Sequence, residues 1–262
     1  MRIAGNRSRP DFATLTGLLL AACGLLGGFL LEGGSPQAIL GPSAALIVFG
    51  GCIGATLVAH PAREVISALR ALRLVFGERA EECEPLVDEI MSLSKQSRKA
   101  GLISLEAEAQ RIAEPLLRKG VILAVDGVEP QSIREILETE IEVLSRRMER
   151  DAQVLESAGG FAPTIGIIGA VLGLIITMGR IDDTKLVGRG IAAAFVATIY
   201  GVGLANLFFL PSSGKIKMRI REDQIVREMV LEGVISILEG MNPRMLETKL
   251  KGFLAEEHEK EK

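Results

Sequence analysis

Tryptophan is absent from this 262-residue chain, tyrosine occurs once, histidine twice and cysteine three times. Three cysteines without a regular spacing make neither a disulfide framework nor a zinc site. Cys23 and Cys52 lie in apolar runs and Cys83 among acidic residues, so all three are read as reduced and structural. His60 and His258 have no catalytic company, and no nucleophile–base pair, metal cluster or phosphate loop is spelled out. No enzymatic activity, catalytic residue, metal or cofactor is therefore expected. An excess of positive charge is missing too: 30 Lys and Arg stand against 33 Asp and Glu, a net charge of −3, which gives nucleic acid no reason to bind.

Charge is also missing locally. Four runs carry no Asp, Glu, His, Lys or Arg: Phe12–Leu31, 38–59, 157–179 and 190–214, of 20, 22, 23 and 25 residues. Each reaches the roughly 20 residues that a helix needs to cross a ~30 Å hydrocarbon core. A helix is what a lone segment must form there, because lipid offers the backbone no hydrogen-bond partners. The first run follows Arg2, Arg7 and Arg9, but it is longer than a signal-peptide core and lacks a clear cleavage site, so it is read as a membrane helix. The expected fold is an all-α integral membrane protein with four transmembrane helices. The expected organisation is a cytoplasmic N-terminus at 1–11, two spans within 12–59 and a helical cytoplasmic domain over 60–156. Two further spans follow within 157–214, then an amphipathic C-terminal helix and tail over 215–262.

Loop charges set the orientation. The loop "EGGSPQ" after the first span has no Lys or Arg, whereas Arg63, Arg70 and Arg73 follow the second span. "KIKMRIR" after the fourth places four cations in seven residues, and the loop between the third and fourth mixes Arg180, Lys185 and Arg189 with Asp182 and Asp183. Both termini and the segment 60–156 are thus expected in the cytoplasm. Within that segment Ile133, Leu137, Ile141, Leu144, Met148 and Leu155, with Ala152, fall at helical spacing. The pattern predicts one long helix running into the third span. The run from Glu81 to Gly127 predicts shorter helices broken near Gly101, Gly120 and "DGVEP". Ile225, Met229, Val230, Val234 and Leu238 predict an amphipathic helix packed on the same domain, and "EEHEKEK" a frayed end.

The stretch "GGFAPTIGIIGAVLGLIITMG" holds six glycines in 21 residues. A phosphate loop needs Lys and Ser or Thr directly after its last glycine, and this stretch has no Lys. Gly166, Gly169 and Gly173 recur instead at helical spacing, the pattern that lets helix backbones approach in lipid. The fourth run repeats it with Gly190, Ala194 and Thr198, and with Ala193, Ala197, Gly201 and Ala205. Ion pathways normally carry Asp, Glu, His, Lys or Arg, and these spans have none. Thr164 and Thr198 are more simply read as bonding back to their own helices. Any titrating group for ion conduction must come from another polypeptide.

Three motifs in order, "SRKAGLISLEAE", "FAPTIGIIGAVLGLI" and "AAAFVATIYGVGLANLFFLP", resemble the MotA-type subunits of the MotA/TolQ/ExbB proton-channel family. The likeness covers nearly the whole chain. It implies an ion-conducting flagellar stator subunit, active in motility and chemotaxis, in the bacterial plasma (inner) membrane. It implies a pentameric ring of this chain around a MotB-like single-span partner, which supplies the ion-binding Asp, and torque delivered to the rotor protein FliG. Arg98 and Glu106 match the family's rotor-contacting charges, although taken alone they read as a solvated face. Pro163 and Pro211 match its torque-coupling prolines; by position alone they read as helix-end punctuation, Pro163 starting the third span and Pro211 ending the fourth. Ala170 and Ala197 stand where sodium-type relatives carry Thr, which implies H+ rather than Na+, while Thr198 is kept in both types. The alternatives are a TolQ/ExbB-like energiser of an envelope process and a membrane scaffold that conducts nothing. The two short-looped spans at the start argue against the energiser.

Overall fold

Helix is the element that the long uncharged runs demand, and helix dominates the computed structural model, which describes residues 9–78, 83–179 and 183–259. Expectations that rest on Arg2, Arg7, Arg180, Asp182 and residues 260–262 lie outside the described residues. In chain order the elements are β1 (Arg9–Pro10), α1 (Phe12–Leu31), α2 (Pro36–Ile39), α3 (Pro42–Ala59), α4 (Ala62–Phe76) and β2 (Gly77–Glu78). Next come α5 (Cys83–Ala100), a 3-10 turn (Leu102–Leu105), α6 (Glu106–Ala109), α7 (Pro115–Val125) and α8 (Pro130–Met178). The chain closes with α9 (Thr184–Gly203), a π turn (Leu204–Phe209), α10 (Leu210–Leu238) and α11 (Pro243–Glu259). Four helical stretches are long and apolar enough to cross a membrane: Phe12–Leu31, Pro36–Ala59, Pro130–Met178 and Leu186–Leu238.

Two compact units result: Pro10–Glu78 with Met148–Lys217, and Met1–Arg9 with Arg79–Arg147 and Met218–Lys262. In the first, the span unit, α1 buries none of its residues, and Leu19, Leu20, Leu25 and Leu26 stand more than half exposed. That is how a helix looks when lipid, rather than protein, is its surroundings. Within the second stretch the unbroken helix α3 begins at Pro42, four residues after the uncharged run does at residue 38. Pro disfavours helical backbone in the residue before it, so Gly41–Pro42 separates α2 from α3, with Pro42 in the first turn of the new helix. The segment α4, counted with the soluble domain by sequence, clusters with the spans.

The second unit, the aliphatic unit, is built on large side chains. Ile90 of α5, Leu117 and Val121 of α7, Ile133 and Leu137 of α8, and Met229 and Val234 of α10 are all at most 2% exposed in one core. The α8 periodicity appears as expected, with Ile133, Leu137 and Ile141 buried. Gly120 does not break a helix: it sits inside α7, where a Cβ would meet Val234 side-chain atoms at 2.8 and 2.9 Å. The breaks fall at Gly101, with φ +82°, and at Gly127, with φ +76°, backbone conformations that L side chains rarely adopt.

α10 also differs from expectation. It is not amphipathic over its last turns, because Leu231, Val234, Ile235 and Ile237 are all buried, whereas Ile225 is only half-buried. A further helix covers the side that was expected to face water. α11 starts where Gly240, at φ +65°, lets the chain turn back. The Asn242 side chain then accepts the Arg244 N–H at 3.0 Å, and Leu246 and Leu250 become fully buried.

Candidate functional site

The uncharged segments of α8 and α9 pack antiparallel through small residues. A Cβ built at Gly201 would collide with the Ala162 carbonyl oxygen and lie 3.0 Å from Gly166 Cα. One at Gly166 would lie 2.9 Å from the Ala197 carbonyl oxygen and 3.4 Å from Thr198 Cα. Further along, a Cβ at Gly169 would lie 3.0 Å from Ala197 Cβ, and one at Gly173 would lie 3.3 Å from Ala194 Cβ. At the far end Gly190 lies directly against the buried Thr177 side chain, whose hydroxyl donates to Gly173 O at 2.8 Å. Numbers rise along α8 as they fall along α9, so this is one continuous seam of backbone against backbone. Lipid provides no hydrophobic drive to hold helices together, and such close van der Waals contact supplies it instead.

The seam has an inner and an outer side. Ala197 is 1% exposed, packed among Ala44, Val48 and Val196, so within one chain it meets α3 and α8. Ala170 and Thr198 are half-buried at the edge of the seam. Thr164 is exposed and its hydroxyl donates to Phe161 O at 2.8 Å, bonding to its own helix. No Asp, Glu, His, Lys or Arg occurs in 157–179 or 190–214.

One end of the seam is irregular. Pro163 sits inside α8 without ending it, and lacks the N–H that Gly159 O would otherwise receive. Pro211 does not end its helix either: the π turn precedes it and α10 continues to Leu238. The missing Pro211 N–H explains the turn, since Leu207 O loses its regular partner and Leu210 N–H reaches back to Ala205 O. The exposed Asn206 side chain donates to Val202 O at 2.9 Å. Both irregular segments share one small core, in which Cys52, Ala158, Ala162 and Ala205 are buried with Phe209 packed against them. Beyond them Ser213 Oγ donates to Ala152 O at 2.8 Å and Lys217 pairs with Glu156 at 2.6 Å.

Several polar ties here were not singled out from the sequence. Asp11 caps α1, accepting the Thr14 N–H at 2.9 Å, and is ion-paired with Lys215, which also donates to Thr14 Oγ1. Burial pushes the Asp11 carboxyl up, but the hydrogen bonds from Lys215 and Thr14 and the Lys215 charge together hold it below the usual carboxylate range. The pattern D-x-x-T before an apolar run was a readable cap signal. His60 Nε2 lies 2.9 Å from Ser157 Oγ, joining the end of α3 to α8, so it does have a partner. Tyr200 donates to Ile39 O at 2.6 Å and accepts the Gly41 N–H at 3.2 Å, clasping the α2–α3 turn to α9. A cavity of about 300 Å³ lies between α1 and the π turn, with Gly17, Leu18, Phe208 and Pro211 among its walls. Cys23, Cys52 and Cys83 are free thiols.

In the aliphatic unit, Arg98 and Glu106 are both exposed and flank one turn. Gly101 N–H donates to Ser97 O at 2.8 Å, Gln96 Nε2 donates to Ser104 O at 2.9 Å, and Leu105 is fully buried, so the turn that carries the two charges is held in place. Burial and the nearby Glu114 carboxylate push Glu89 up.

Four membrane-length helices, two of them joined backbone to backbone with no charged side chain between, define a multi-pass helical membrane protein. Residues 108–229 match the MotA/TolQ/ExbB proton channel family, and 15–101 match the motility protein A N-terminal family. The chain is 35% identical to motility protein A of Bacillus subtilis (strain 168) over 93% of its own length and 91% of that protein. It superimposes on the C. jejuni MotAB structure with a TM-score of 0.88 at 30% identity, covering 93% of this chain and 95% of that one. The flagellar MotAB stator complex from Bacillus subtilis gives 0.86 at 35% identity, covering 94% and 97%. The chain belongs to the MotA/TolQ/ExbB proton channel family.

Proposed function

We propose that this chain is the ion-conducting stator subunit of a bacterial flagellar motor, working in the inner membrane with both termini in the cytoplasm. The observation that carries the reading is the α8–α9 seam, close-packed and without Asp, Glu, His, Lys or Arg, in a member of a proton-channel family. Such a seam can shape a path but cannot bind and release a proton near neutral pH, so the carboxylate comes from a second polypeptide. A MotB-like single-span partner supplies it as an Asp; the solved structures that this chain matches are MotAB complexes. A pentameric ring of this chain surrounds that partner, and the spans within 157–214 face it.

Ion passage then turns the ring. Charge crossing the membrane yields about 2.3 kcal/mol per 100 mV, which is available to move the helices. Pro163 and Pro211, which touch the same irregular end of the seam, transmit the change to the cytoplasmic parts, 60–156 and 215–262. Arg98 and Glu106, exposed on their pinned turn, meet the rotor protein FliG through screened contacts of about 0–1 kcal/mol each, suited to rapid engagement and release. H+ is the transported ion: Ala170 and Ala197 lack the hydroxyl ligands that Na+ needs, and Thr198 is neutral to the choice.

The test is co-expression with a MotB-like partner in a non-motile stator-deficient host. Swimming is expected to stop with an uncoupler and to ignore removal of external Na+. Swimming that follows external Na+ overturns the ion assignment, and failure of every partner to restore motility overturns the stator reading. Ala170→Asp is expected to insert normally and abolish torque; normal swimming by that variant removes Ala170 from the path.

A further inference from the structure

Within the span unit, α4 is anchored at both ends to the same side of the membrane. It starts at Ala62, directly after α3 ends at Ala59 and His60 caps it. It finishes at Phe76, whose carbonyl accepts the N–H of Asp11 at 3.0 Å, and Asp11 caps the beginning of α1. α1 leaves this boundary and α3 returns to it, so the first residue of one span and the last of the other mark one level. A 15-residue helix is about 22 Å long. Tied to that level at both ends, α4 lies along the boundary plane.

Its faces are unequal. Ala68, Ala71 and Val75 are buried, and Glu64, its acidic residue, is half-buried on the same side. The opposite face exposes Ile66 (50%) and Leu69 (57%) together with Arg63, Arg70 and Arg73. At 100° per residue, Leu69, Arg73 and Ile66 fall within one narrow sector and Arg70 and Arg63 border it on one side. Exposed aliphatics beside a stripe of arginines, on a helix held in the boundary plane, match a surface whose one side is hydrocarbon and whose edge is phosphate.

We propose that the exposed face of α4 binds anionic phospholipid headgroups of the adjoining leaflet, with Arg63, Arg70 and Arg73 on the phosphates and Ile66 and Leu69 set at the acyl boundary. Arginine suits this ligand because its planar fork meets phosphate oxygens two at a time. The proposal rests on the spans crossing a bilayer and not on the stator reading, and its test measures no motility.

The full chain is purified in detergent with a mixture of phosphatidylglycerol and phosphatidylcholine, and retained lipid is counted by native mass spectrometry. A basic residue at an anionic surface contributes about fivefold in partitioning, so the parent is expected to prefer phosphatidylglycerol by at least about fivefold. The triple variant R63Q/R70Q/R73Q is expected to lose that preference, and R63K/R70K/R73K to keep part of it. All three positions are exposed, so neither variant disturbs a core. A second measurement places a fluorophore at Leu69→Cys, in a Cys23→Ser background, in phosphatidylcholine vesicles with one-third phosphatidylglycerol. Quenching by brominated lipid supports the proposal. An unchanged lipid preference in the Gln triple variant overturns it, as does a position 69 that cross-links to another copy of the chain and is not quenched.

Discussion

The span unit and the aliphatic unit solve the same packing problem with opposite residues. In the aliphatic unit α5, α7, α8, α10 and α11 are separated by Ile90, Leu117, Leu137, Met229 and Leu246, side chains whose removal from water drives the association. In the span unit α8 and α9 have almost nothing between them: Gly166, Gly169, Gly173 and Gly201 bring backbone onto backbone. α8 runs unbroken through both units and changes its vocabulary from Ile133 and Leu137 to Ala162 and Gly166 as it passes from one to the other. Solvent explains the change. Water rewards large apolar side chains for hiding, whereas lipid does not, so helices in lipid hold together by contact area at short range.

The largest expected effect contrasts two leucines. Leu137→Ala empties a fully buried position of the aliphatic core and is expected to cost about 2–5 kcal/mol. Leu25→Ala in α1, at a position 63% exposed, is expected to change stability by less than about 0.5 kcal/mol. Unfolding of the full chain in detergent, followed by helical circular dichroism, reads both. Equal losses would end the contrast.

The second contrast uses glycines. Gly201→Ala drives a methyl into the Ala162 carbonyl oxygen and Gly166 Cα, backbone atoms that move only if the helices separate, so about 1–3 kcal/mol is expected to be lost. Gly50→Ala, in α3 with nothing within 4 Å, is expected to be neutral or to stabilise by up to about 1 kcal/mol. The same unfolding assay separates them. A Gly201→Ala chain as stable as the parent would mean that the seam is looser than its contacts indicate.

What the sequence revealed follows from how local each signal is. The spans, the α8 periodicity and the glycine spacing are visible because hydropathy and helical period are properties of one segment. By position alone Pro163 and Pro211 read as helix-end punctuation, and their helices run on, because a π turn that absorbs a missing N–H depends on what packs against it, here Cys52, Ala158 and Ala162. α10 looked amphipathic because nothing in its own residues shows that α11 will cover it. The ties Tyr200–Ile39 and His60–Ser157 join residues 161 and 97 positions apart, a distance at which single-sequence patterns carry no information. Asp11, by contrast, wrote its cap into four adjacent residues and could have been found.

The smallest expected effect tests what charge adds to the aliphatic unit, where the α8–α9 seam does without it. Glu232 of α10 lies between Arg134 of α8 at 2.6 Å and Lys249 of α11 at 2.5 Å. Burial pushes its carboxyl up, but the hydrogen bonds and charges of these two cations outweigh that and hold it below the usual carboxylate range. A carboxyl depressed in the folded state contributes stability that is present above its unfolded pKa, about 4.3, and disappears as pH falls through the lower folded value. Glu232→Gln is therefore expected to cost about 1–2 kcal/mol at pH 7, since it leaves two half-buried cations with a weaker acceptor. The gap between parent and variant should narrow as the medium is taken below pH 4, because protonation then removes the same charge from the parent. Thermal unfolding at pH 7 and pH 3 measures this directly, and a gap that stays constant across that range would assign Glu232 to packing rather than to charge.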